Sequence, residues 1–455
     1  MLSNSSKTKQ QNLFYSPLSD MLDMNDPLIA LANVIDWKIF ENEFAIFYSK
    51  DGSPAKPIRS MVGLLILKQL ENLSDESIVI QWKRNPYYQY FCGYNEMQLC
   101  EPCHSTQLVK FRQRIGKEGM ELIFKVSVQL HGNKAEEKEV LIDTTVQEKN
   151  ITYPTDGKLA IKMIHHLHKI GKKEQLNLRR TFVKEIKEHR INLRFFKHPK
   201  KIKKARSSIK RLRTIVGILI RDISRNLKQD KLSNYTNTFD LFDKVRNQQI
   251  KDSNKVLSLH ESHVYAITKG KDHKKYEYGT KASIVATKDS GVIVGVASHS
   301  KNEHDSKTLE AALISANKTR TTAIKEVICD RGYRGIKEVL GTIISIPGTT
   351  LKKDTEYQKQ QKRDKFKRRA AIEPIIGHLK SDFRLARNYL KGFIGDQINL
   401  LLAATAWNLK KWMNIYFFAI ISGEMKLLLE SIKQIKLYNQ IFLQLIVIKL
   451  IFTHP

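Results

Sequence analysis

The chain has 455 residues, with 78 Lys or Arg against 46 Asp or Glu, so its formal net charge is +32. This excess points to a polyanionic partner, with nucleic acid first and an anionic membrane second. No stretch offers the roughly 18 uninterrupted apolar residues of a membrane span, because polar residues interrupt even the apolar run from Leu437 to Phe452. The composition therefore argues against a membrane protein and predicts a soluble, cytoplasmic one.

The first part of the chain is predicted to be helical. Residues 1–25 are polar and are expected to form a flexible tail, whereas residues 26–132 contain several helix starts. Asp26-Pro27 combines an N-cap acid with a proline at the first helical position, and Ser74 precedes two acids in a similar way. Short helices joined by tight turns are typical of helix-turn-helix DNA readers, although many such domains have other functions. The charge of the chain favours DNA binding here.

The cysteines give a weak metal signal. Cys100-x-x-Cys103 is followed by His104, with Cys92 upstream. No second pair of ligands follows at the spacing of a zinc finger, so the sequence disfavours a zinc site.

A strand pattern begins at residue 140, where β-branched residues alternate through Val146. In a strand, Leu141, Asp143 and Thr145 share one face. Acids are disfavoured inside strands, and a buried carboxylate needs a partner, a metal or a function. Asp143 is therefore a candidate site residue.

Residues from about 158 to 260 are predicted to be helical and are strongly basic. Between Arg194 and Arg213 there are ten Lys or Arg and no acid. A solvated helix face is the alternative, but these charges repel one another, and a phosphate backbone would relieve that repulsion. The predicted DNA contacts in this run are Lys200, Lys201, Lys203, Lys204, Arg206, Lys210 and Arg211.

The third part of the chain mixes strands and helices. The predicted elements are strands at Tyr276–Thr287 and Gly291–Ala297, a helix at Lys307–Ala316 with Asp305 or Ser306 as its cap, a strand at Glu326–Asp330, a short helix at Ile336–Leu340 and a strand at Thr342–Ile346. This order predicts an α/β fold in which helices flank a mixed sheet. Asp330 would lie at the end of a strand, which makes it the second candidate site residue.

A helix that carries Glu373 follows a second basic stretch. Pro374 is tolerated only in the first turn of a helix or at a kink, so the helix is expected to begin near Ala370 or Ala371. Gly377 lies one turn beyond Glu373, and a glycine inside a helix costs about 1 kcal/mol relative to alanine, which suggests that a bulky group approaches there. The apolar stripe of this helix consists of Ile372, Ile375, Ile376, Leu379 and Phe383.

Asp143, Asp330 and Glu373 suit a metal-dependent reaction. Carboxylates alone favour hard cations such as Mg²⁺, with Mn²⁺ as the alternative. Two such ions about 4 Å apart activate a water or a 3′-hydroxyl for phosphoryl transfer. Arg369, one turn before Glu373, and Lys380, two turns beyond it, are predicted to contact DNA. The competing interpretations are three unrelated acids, each with its own ion pair, and a glycosidase, which explains neither the charge of +32 nor the third acid.

The chain resembles the DDE transposases of bacterial insertion sequences, in particular the IS-five-like group. In the signature of that family a tyrosine, an arginine, a glutamate and a lysine follow at fixed spacing. Here Arg369, Glu373 and Lys380 match, and Phe366 replaces the tyrosine. The stretches that carry the resemblance cover most of residues 55–410 and are Ile58–Lys68 with Leu73–Glu76, Ile142–Glu148, Lys275–Lys281, Cys329–Tyr333 and the Glu373 helix.

The resemblance implies an RNase H-like catalytic domain, placed at residues 133–410 with the basic insertion inside it, followed by a C-terminal helical tail at 411–455. It implies that Asp143, Asp330 and Glu373 hold Mg²⁺, and that Arg331, beside Asp330, contacts DNA. It implies cleavage at terminal inverted repeats, strand transfer to target DNA by the freed 3′-hydroxyl, and end recognition by the N-terminal helices. A homodimer that assembles on paired ends and is associated with the bacterial nucleoid is also expected. The alternatives are an RNase H-like nuclease without strand transfer and a DNA-binding relative without catalysis.

Overall fold

The computed structural model describes residues 16–48, 54–249, 251–268, 275–346, 348, 351 and 353–452, with side chains up to residue 423. Most of the predicted tail, residues 1–15, lies outside this set. The side chain of Phe366, which replaces the signature tyrosine, also lies outside it.

The N-terminal part is helical, as predicted. Asp26 caps the helix Pro27–Val34 by accepting a hydrogen bond from the Leu28 N–H at 2.7 Å, and Ser74 caps the helix Asp75–Arg84 by accepting one from the Ser77 N–H at 3.0 Å. The helices are α1 (Leu18–Met21), α2 (Pro27–Val34), α3 (Trp37–Ala45), α4 (Ile58–Leu70), α5 (Asp75–Arg84), α6 (Pro86–Phe91) and α7 (Ser105–Gln129).

The prediction of a tail over residues 1–25 is wrong for its last part. α1 lies in that range, Leu18 is fully buried, and its N–H donates to the Asn95 carbonyl at 2.7 Å. The error has a physical reason, because a single turn of helix is too short to show a 3.6-residue period in the sequence.

The described residues contain a seven-stranded mixed sheet. Its strands are β1 (Glu139–Glu148), β2 (Tyr265–Ile267), β3 (Glu277–Thr287), β4 (Ile293–His299), β5 (Glu326–Ile328), β6 (Glu338–Val339) and β7 (Thr342–Ser345). β1 pairs antiparallel with β3 on one side and parallel with β5 on the other, and β7 extends the parallel part. β2 and β4 both pair with β3, and β6 forms a hairpin with β7. This order, with helices against the sheet, confirms the predicted RNase H-like α/β fold.

The predicted helix at Ile336–Leu340 is wrong, because the chain forms β6 and a tight turn there. Val339 pairs with Thr342, so only two residues make the turn. Both have positive φ, 51° at Leu340 and 74° at Gly341. Two-residue hairpins favour this backbone, but leucine rarely adopts it, so the sequence lacks the usual Asn-Gly signal.

A helical insertion separates β1 from β2, close to the predicted range. It has its own apolar core, in which Ile164, Leu212 and Phe242 are buried. The remaining helices of the chain are α8 (Asp156–Lys173), α9 (Val183–Asn192), α10 (Ile202–Asn226), α11 (Gln229–Leu232), α12 (Thr236–Asn247), α13 (Asp305–Asn317), α14 (Glu356–Ala370), α15 (Ile372–Ser381) and α16 (Gly392–Phe452). Within the described residues, none of the helices has the length and apolar character that a membrane span requires.

A second, larger core joins the N-terminal helices to the sheet and to α16. At the β4 edge, the Asn408 side chain of α16 accepts from the Ile293 N–H at 2.9 Å and donates to the Ile293 carbonyl at 2.8 Å, so it replaces a neighbouring strand. α16 runs without a break through residue 410, where the predicted tail begins. The predicted division into domains at 132 and 410 remains a prediction.

Candidate active site

The register of two parallel strands brings Asp143 and Asp330 together. Leu141 of β1 lies opposite Ile328 of β5, and each acid follows its strand residue by two positions. Residues two apart share a face, and neighbouring strands lie about 4.8 Å apart, so both carboxylates lie on one face of adjacent chain segments. Both acids are half-buried. The Asp330 side chain accepts the Gly332 N–H at 2.8 Å, which fixes the turn that leaves β5.

A small apolar cluster places the third acid near these two. Leu141, Ile328 and Ile372 are buried together, and each precedes a candidate acid by one or two residues. The cluster packs the start of α15 against the two strands that carry Asp143 and Asp330. The position of Glu373 is therefore set by apolar packing and not by its charge.

The start of α15 agrees with the prediction. α14 ends at Ala370 and α15 begins at Ile372, with Ala371 between them. Pro374 explains the break, since its ring clashes with the carbonyl four residues earlier, that of Ala370, and its nitrogen has no hydrogen to donate. Of the predicted apolar stripe, Ile376 is half-buried and the other four members are buried: Ile372, Ile375, Leu379 and Phe383.

Glu373 is directed to Arg369 in this structure. Its side chain is 60% exposed and accepts a hydrogen bond from Arg369 Nη2 at 3.1 Å. Within the described residues, no three His, Cys, Asp or Glu side chains lie close enough to hold a metal ion together. The ion pair with Arg369, which is the alternative to the catalytic interpretation, is thus present, and a pair whose carboxylate is exposed contributes about 1 kcal/mol or less.

Asp305 is a fourth acid at this site, although its place in the sequence predicts only a helix cap. The cap of α13 is instead His304, and Asp305 lies in the first turn. Asp305 Oδ1 accepts hydrogen bonds at 2.9 Å from Thr144 Oγ1 and from Lys281 Nζ. The signal in the sequence was Lys281, because a cation inside a predicted strand needs a carboxylate partner.

Gly332 leaves a gap between two of the carboxylates. A Cβ atom at this position would lie 3.0 Å from Asp330 Oδ1 and 3.2 Å from Asp305 Oδ2. An all-oxygen set of donors around such a gap fits a hard divalent cation. Asp305 and Asp330 border this gap, Asp143 lies on the strand that pairs with β5, and Glu373 would have to turn from Arg369 to join them.

The acids create a negative electrostatic potential around the end of β5. Burial raises the pKa of the Cys329 thiol to about 12, and the charges of Asp330 and Asp143 contribute to this rise. Burial also raises the pKa of Tyr333, followed by the charges of Asp305 and Asp143. Neither group ionises near neutral pH, so the carboxylates are the anionic ligands available here.

The predicted DNA-binding cations other than Arg369 lie in two places: Arg331 and Lys380 come after β5 in the chain, and the others lie in the helical insertion. Arg331 is exposed in the turn after Asp330, whereas Lys380 Nζ lies 3.8 Å from Glu277 Oε1 of β3. In the insertion, Arg211 pairs with Glu185 at 2.5 Å. The remaining predicted cations of the insertion are exposed at the start of α10 and just before it: Lys200, Lys201, Lys203, Lys204, Arg206 and Lys210.

Gly377→Ala tests whether the glycine provides clearance for DNA. Gly377 is exposed on α15, and a Cβ atom there would have no neighbour within 4 Å. We expect the substitution to stabilise the free protein by about 0.5–1 kcal/mol, because alanine is the better helix former. If DNA approaches this helix, the same variant should bind or cleave DNA less well. Denaturant unfolding and DNA cleavage, measured in parallel, separate the effects, and unchanged cleavage would remove the clearance role.

Comparisons with known proteins add to this geometry. Residues 16–114 match a family model described as "Transposase domain (DUF772)", and residues 252–409 match one described as "Transposase DDE domain". The second range contains Asp330 and Glu373, whereas Asp143 lies between the two ranges.

The chain is also similar to a Rhizobium meliloti protein named "Uncharacterized protein ORF8 in nfe locus". The two are 36% identical over 194 residues, which is 42% of this chain and 94% of that protein. No solved structure matches the chain significantly.

Proposed function

The chain belongs to the DDE transposases of insertion sequences, and we propose that it cuts DNA at the terminal inverted repeats of its element and joins the freed 3′-hydroxyl ends to target DNA. The observation that carries this proposal is the register of β1 and β5, which sets Asp143 beside Asp330. The IS-five-like group stays a prediction. Members of this family generally depend on a divalent metal ion.

Asp143, Asp330 and Glu373 are the residues that would hold Mg²⁺ or Mn²⁺. When bound, the metal would supply Lewis-acid stabilisation of the phosphoryl group and of the attacking hydroxyl. Glu373 must first exchange its hydrogen bond with Arg369, and the exposure of the Glu373 carboxylate keeps the cost of this exchange small. Arg369 would then donate a charge-assisted hydrogen bond to a DNA phosphate.

The rest of the chain supplies the DNA surface in this proposal. The N-terminal helices recognise the inverted repeats, and the basic cations of the insertion, with Arg331 and Lys380, contact the phosphate backbone. The formal charge of +32 supports a nucleic-acid partner of this kind. A homodimer on paired ends, at the nucleoid in the bacterial cytoplasm, completes the proposal.

Incubation with a labelled fragment that carries the inverted repeat, in the presence of Mg²⁺, tests this function. Cleavage together with a joined product supports transposition. Cleavage without joining supports an RNase H-like nuclease, and binding alone supports a relative that has lost catalysis. Either of the last two results would overturn the proposal.

Replacing Lys203, Lys204 and Lys210 by glutamine should reduce the salt dependence of DNA binding. Each phosphate contact contributes about 0.9 to the slope of log affinity against log salt, so we expect the slope to fall by about 2 to 3. The matched control changes three exposed lysines of α8 that the proposal does not use: Lys169, Lys172 and Lys173. An equal slope in the wild type and the α10 variant would rule out phosphate contacts on this face.

A further inference from the structure

The insertion contains a cleft lined by arginines, and none of these arginines is among the predicted DNA-binding residues. Its volume is about 440 Å³, and it lies between α10 and the connection that joins α8 to α9. It falls outside both ranges matched by the family models. Its lining residues are Arg179, Arg180, Phe182, Ile218, Arg221, Asp222 and Arg225.

The cleft carries a net positive charge, because its lining has four arginines and one acid, Asp222. Asp222 Oδ2 accepts the backbone N–H of Arg179 at 3.1 Å, and its Oδ1 accepts from Asn226 Nδ2 at 3.2 Å. Among the residues that the structure describes, none of the four arginines forms an ion pair with a carboxylate. Arg211, earlier on α10, differs because Glu185 neutralises it. Four guanidinium groups around one cleft repel one another, so a bound polyanion would relieve this repulsion.

The backbone that carries these arginines is held in place without a ligand. Leu178 lies 2.9 Å from the position that a Cβ of Gly171 would occupy, so it anchors the connection closely on α8. The hydrogen bond from the Arg179 N–H to Asp222 then ties the connection to α10. Arg221 and Arg225 lie one turn apart on α10, which is about 6 Å along the helix axis.

We propose that this cleft binds the phosphodiester backbone of a DNA strand, an inference that rests on the proposed function for the identity of the polyanion. A guanidinium group donates two parallel hydrogen bonds to one phosphate, which an ammonium group cannot do. Each strand carries one phosphate per about 3.4 Å of duplex axis, so the arginines of α10 span about two phosphates. Phe182 and Ile218 contribute apolar surface to the lining of the cleft beside these guanidinium groups.

This site differs from the basic surface at the start of α10. The predicted lysine contacts lie between residues 200 and 210, whereas the cleft begins two turns later on the same helix. Lysines on an open surface act as point charges, but arginines in a cleft fix the direction of a strand. The cleft would therefore hold one backbone in a defined orientation across the insertion.

The test uses the full chain and compares Arg221→Gln/Arg225→Gln with Lys187→Gln/Arg190→Gln, which removes the same charge from exposed positions of α9. Fluorescence anisotropy with a labelled duplex, over a series of salt concentrations, gives affinity and salt slope. Hydrogen bonds to charged groups are worth about 1.5–3 kcal/mol, so we expect the cleft variant to bind at least tenfold more weakly. The control should stay near the wild type.

The variant Arg221→Lys/Arg225→Lys tests whether DNA binding needs the paired N–H donors of arginine or only its positive charge. We expect this variant to keep most of the salt slope and to lose affinity, because lysine retains the charge but not the paired donors. The cleft residues are exposed or half-buried, and circular dichroism melting checks that each variant folds.

Equal affinities for the cleft variant and the α9 control would overturn the inference. Unchanged DNA binding with weaker binding to phosphatidylserine vesicles would also overturn it and would assign the cleft to a membrane. A failure of the proposed function looks different: the wild type would bind DNA through the cleft but neither cut nor join it.

Discussion

Asp143→Asn, Asp330→Asn and Glu373→Gln should each abolish DNA cleavage while leaving DNA affinity close to that of the wild type. An amide matches the carboxylate in size but carries no charge to hold a divalent cation. A metal that stabilises the transition state contributes several kcal/mol, and each 1.36 kcal/mol is a factor of ten in rate, so the loss should be roughly a thousandfold or more.

Single-turnover cleavage of the end-bearing fragment and anisotropy on the same DNA measure this prediction. Asp382→Asn is the matched control, because Asp382 is a half-exposed acid at the end of α15 whose partner is His378 at 2.7 Å. The control should cleave DNA normally. Full cleavage by any one of the three variants would remove that residue from the site, and lost DNA affinity would mean that the residue acts in binding instead.

Glu373 is the most informative of the three. In the free protein it accepts a hydrogen bond from Arg369, and the described side chains form no closed metal site. If Glu373 only forms this ion pair, Glu373→Gln should leave cleavage intact, whereas Asp143→Asn and Asp330→Asn abolish it. The contrast between these variants therefore decides whether α15 takes part in the reaction.

The positions of the acids within their elements could be predicted because those signals are local. Alternation over a few residues placed Asp143 on a strand face, and Pro374 set the start of the helix that carries Glu373. The pairing of β1 with β5 could not be read from either strand, because it joins residues far apart in sequence. Only that pairing sets Asp143 beside Asp330.

Asp305 and Leu340 show two further limits. Asp305 meets Lys281 and Thr144 only after three separate elements have packed, so no spacing in the sequence reports this contact. Leu340 adopts a positive φ that its residue type disfavours, so the pairing of β6 with β7 in the hairpin overrides the preference of the single residue. Contacts between distant elements decide the first case, and the hairpin pairing decides the second.

A buried ionic network ties β1 to the rest of the fold. Lys149 follows β1 directly, and its ammonium donates to Asp396 Oδ1 and to the Gly392 carbonyl at 3.0 Å. His263 Nε2 lies 3.0 Å from Asp396 Oδ2, and Asn388 donates to Asp396 Oδ1 at 2.6 Å. The side chains of Lys149 and Asp396 are 2% and 0% exposed. The network therefore joins the end of β1, the segment that returns from the insertion, and the start of α16.

Asp396→Asn should destabilise the protein by about 3 kcal/mol, because the variant removes the nearest anion of the buried Lys149 ammonium and leaves it only Glu261 Oε2, 3.5 Å away. Denaturant unfolding measures the loss. Asp289→Asn is the matched control, since Asp289 is 70% exposed and pairs with Arg368 at the surface, where such a change costs about 1 kcal/mol or less. A loss below about 1 kcal/mol for Asp396→Asn would show that the network does not hold β1.

The double variant Lys149→Met/Asp396→Asn tests the cause of that loss. Lys149→Met alone also breaks the pair, but in the Asp396→Asn background it removes an ammonium that has lost its nearest anion and keeps only Glu261 Oε2, 3.5 Å away. If the cost arises from this buried ammonium, the double variant should be less destabilised than the sum of the two single variants, with a coupling of about 1–3 kcal/mol. Strict additivity would instead mean that the two side chains stabilise the fold independently, through packing and separate hydrogen bonds.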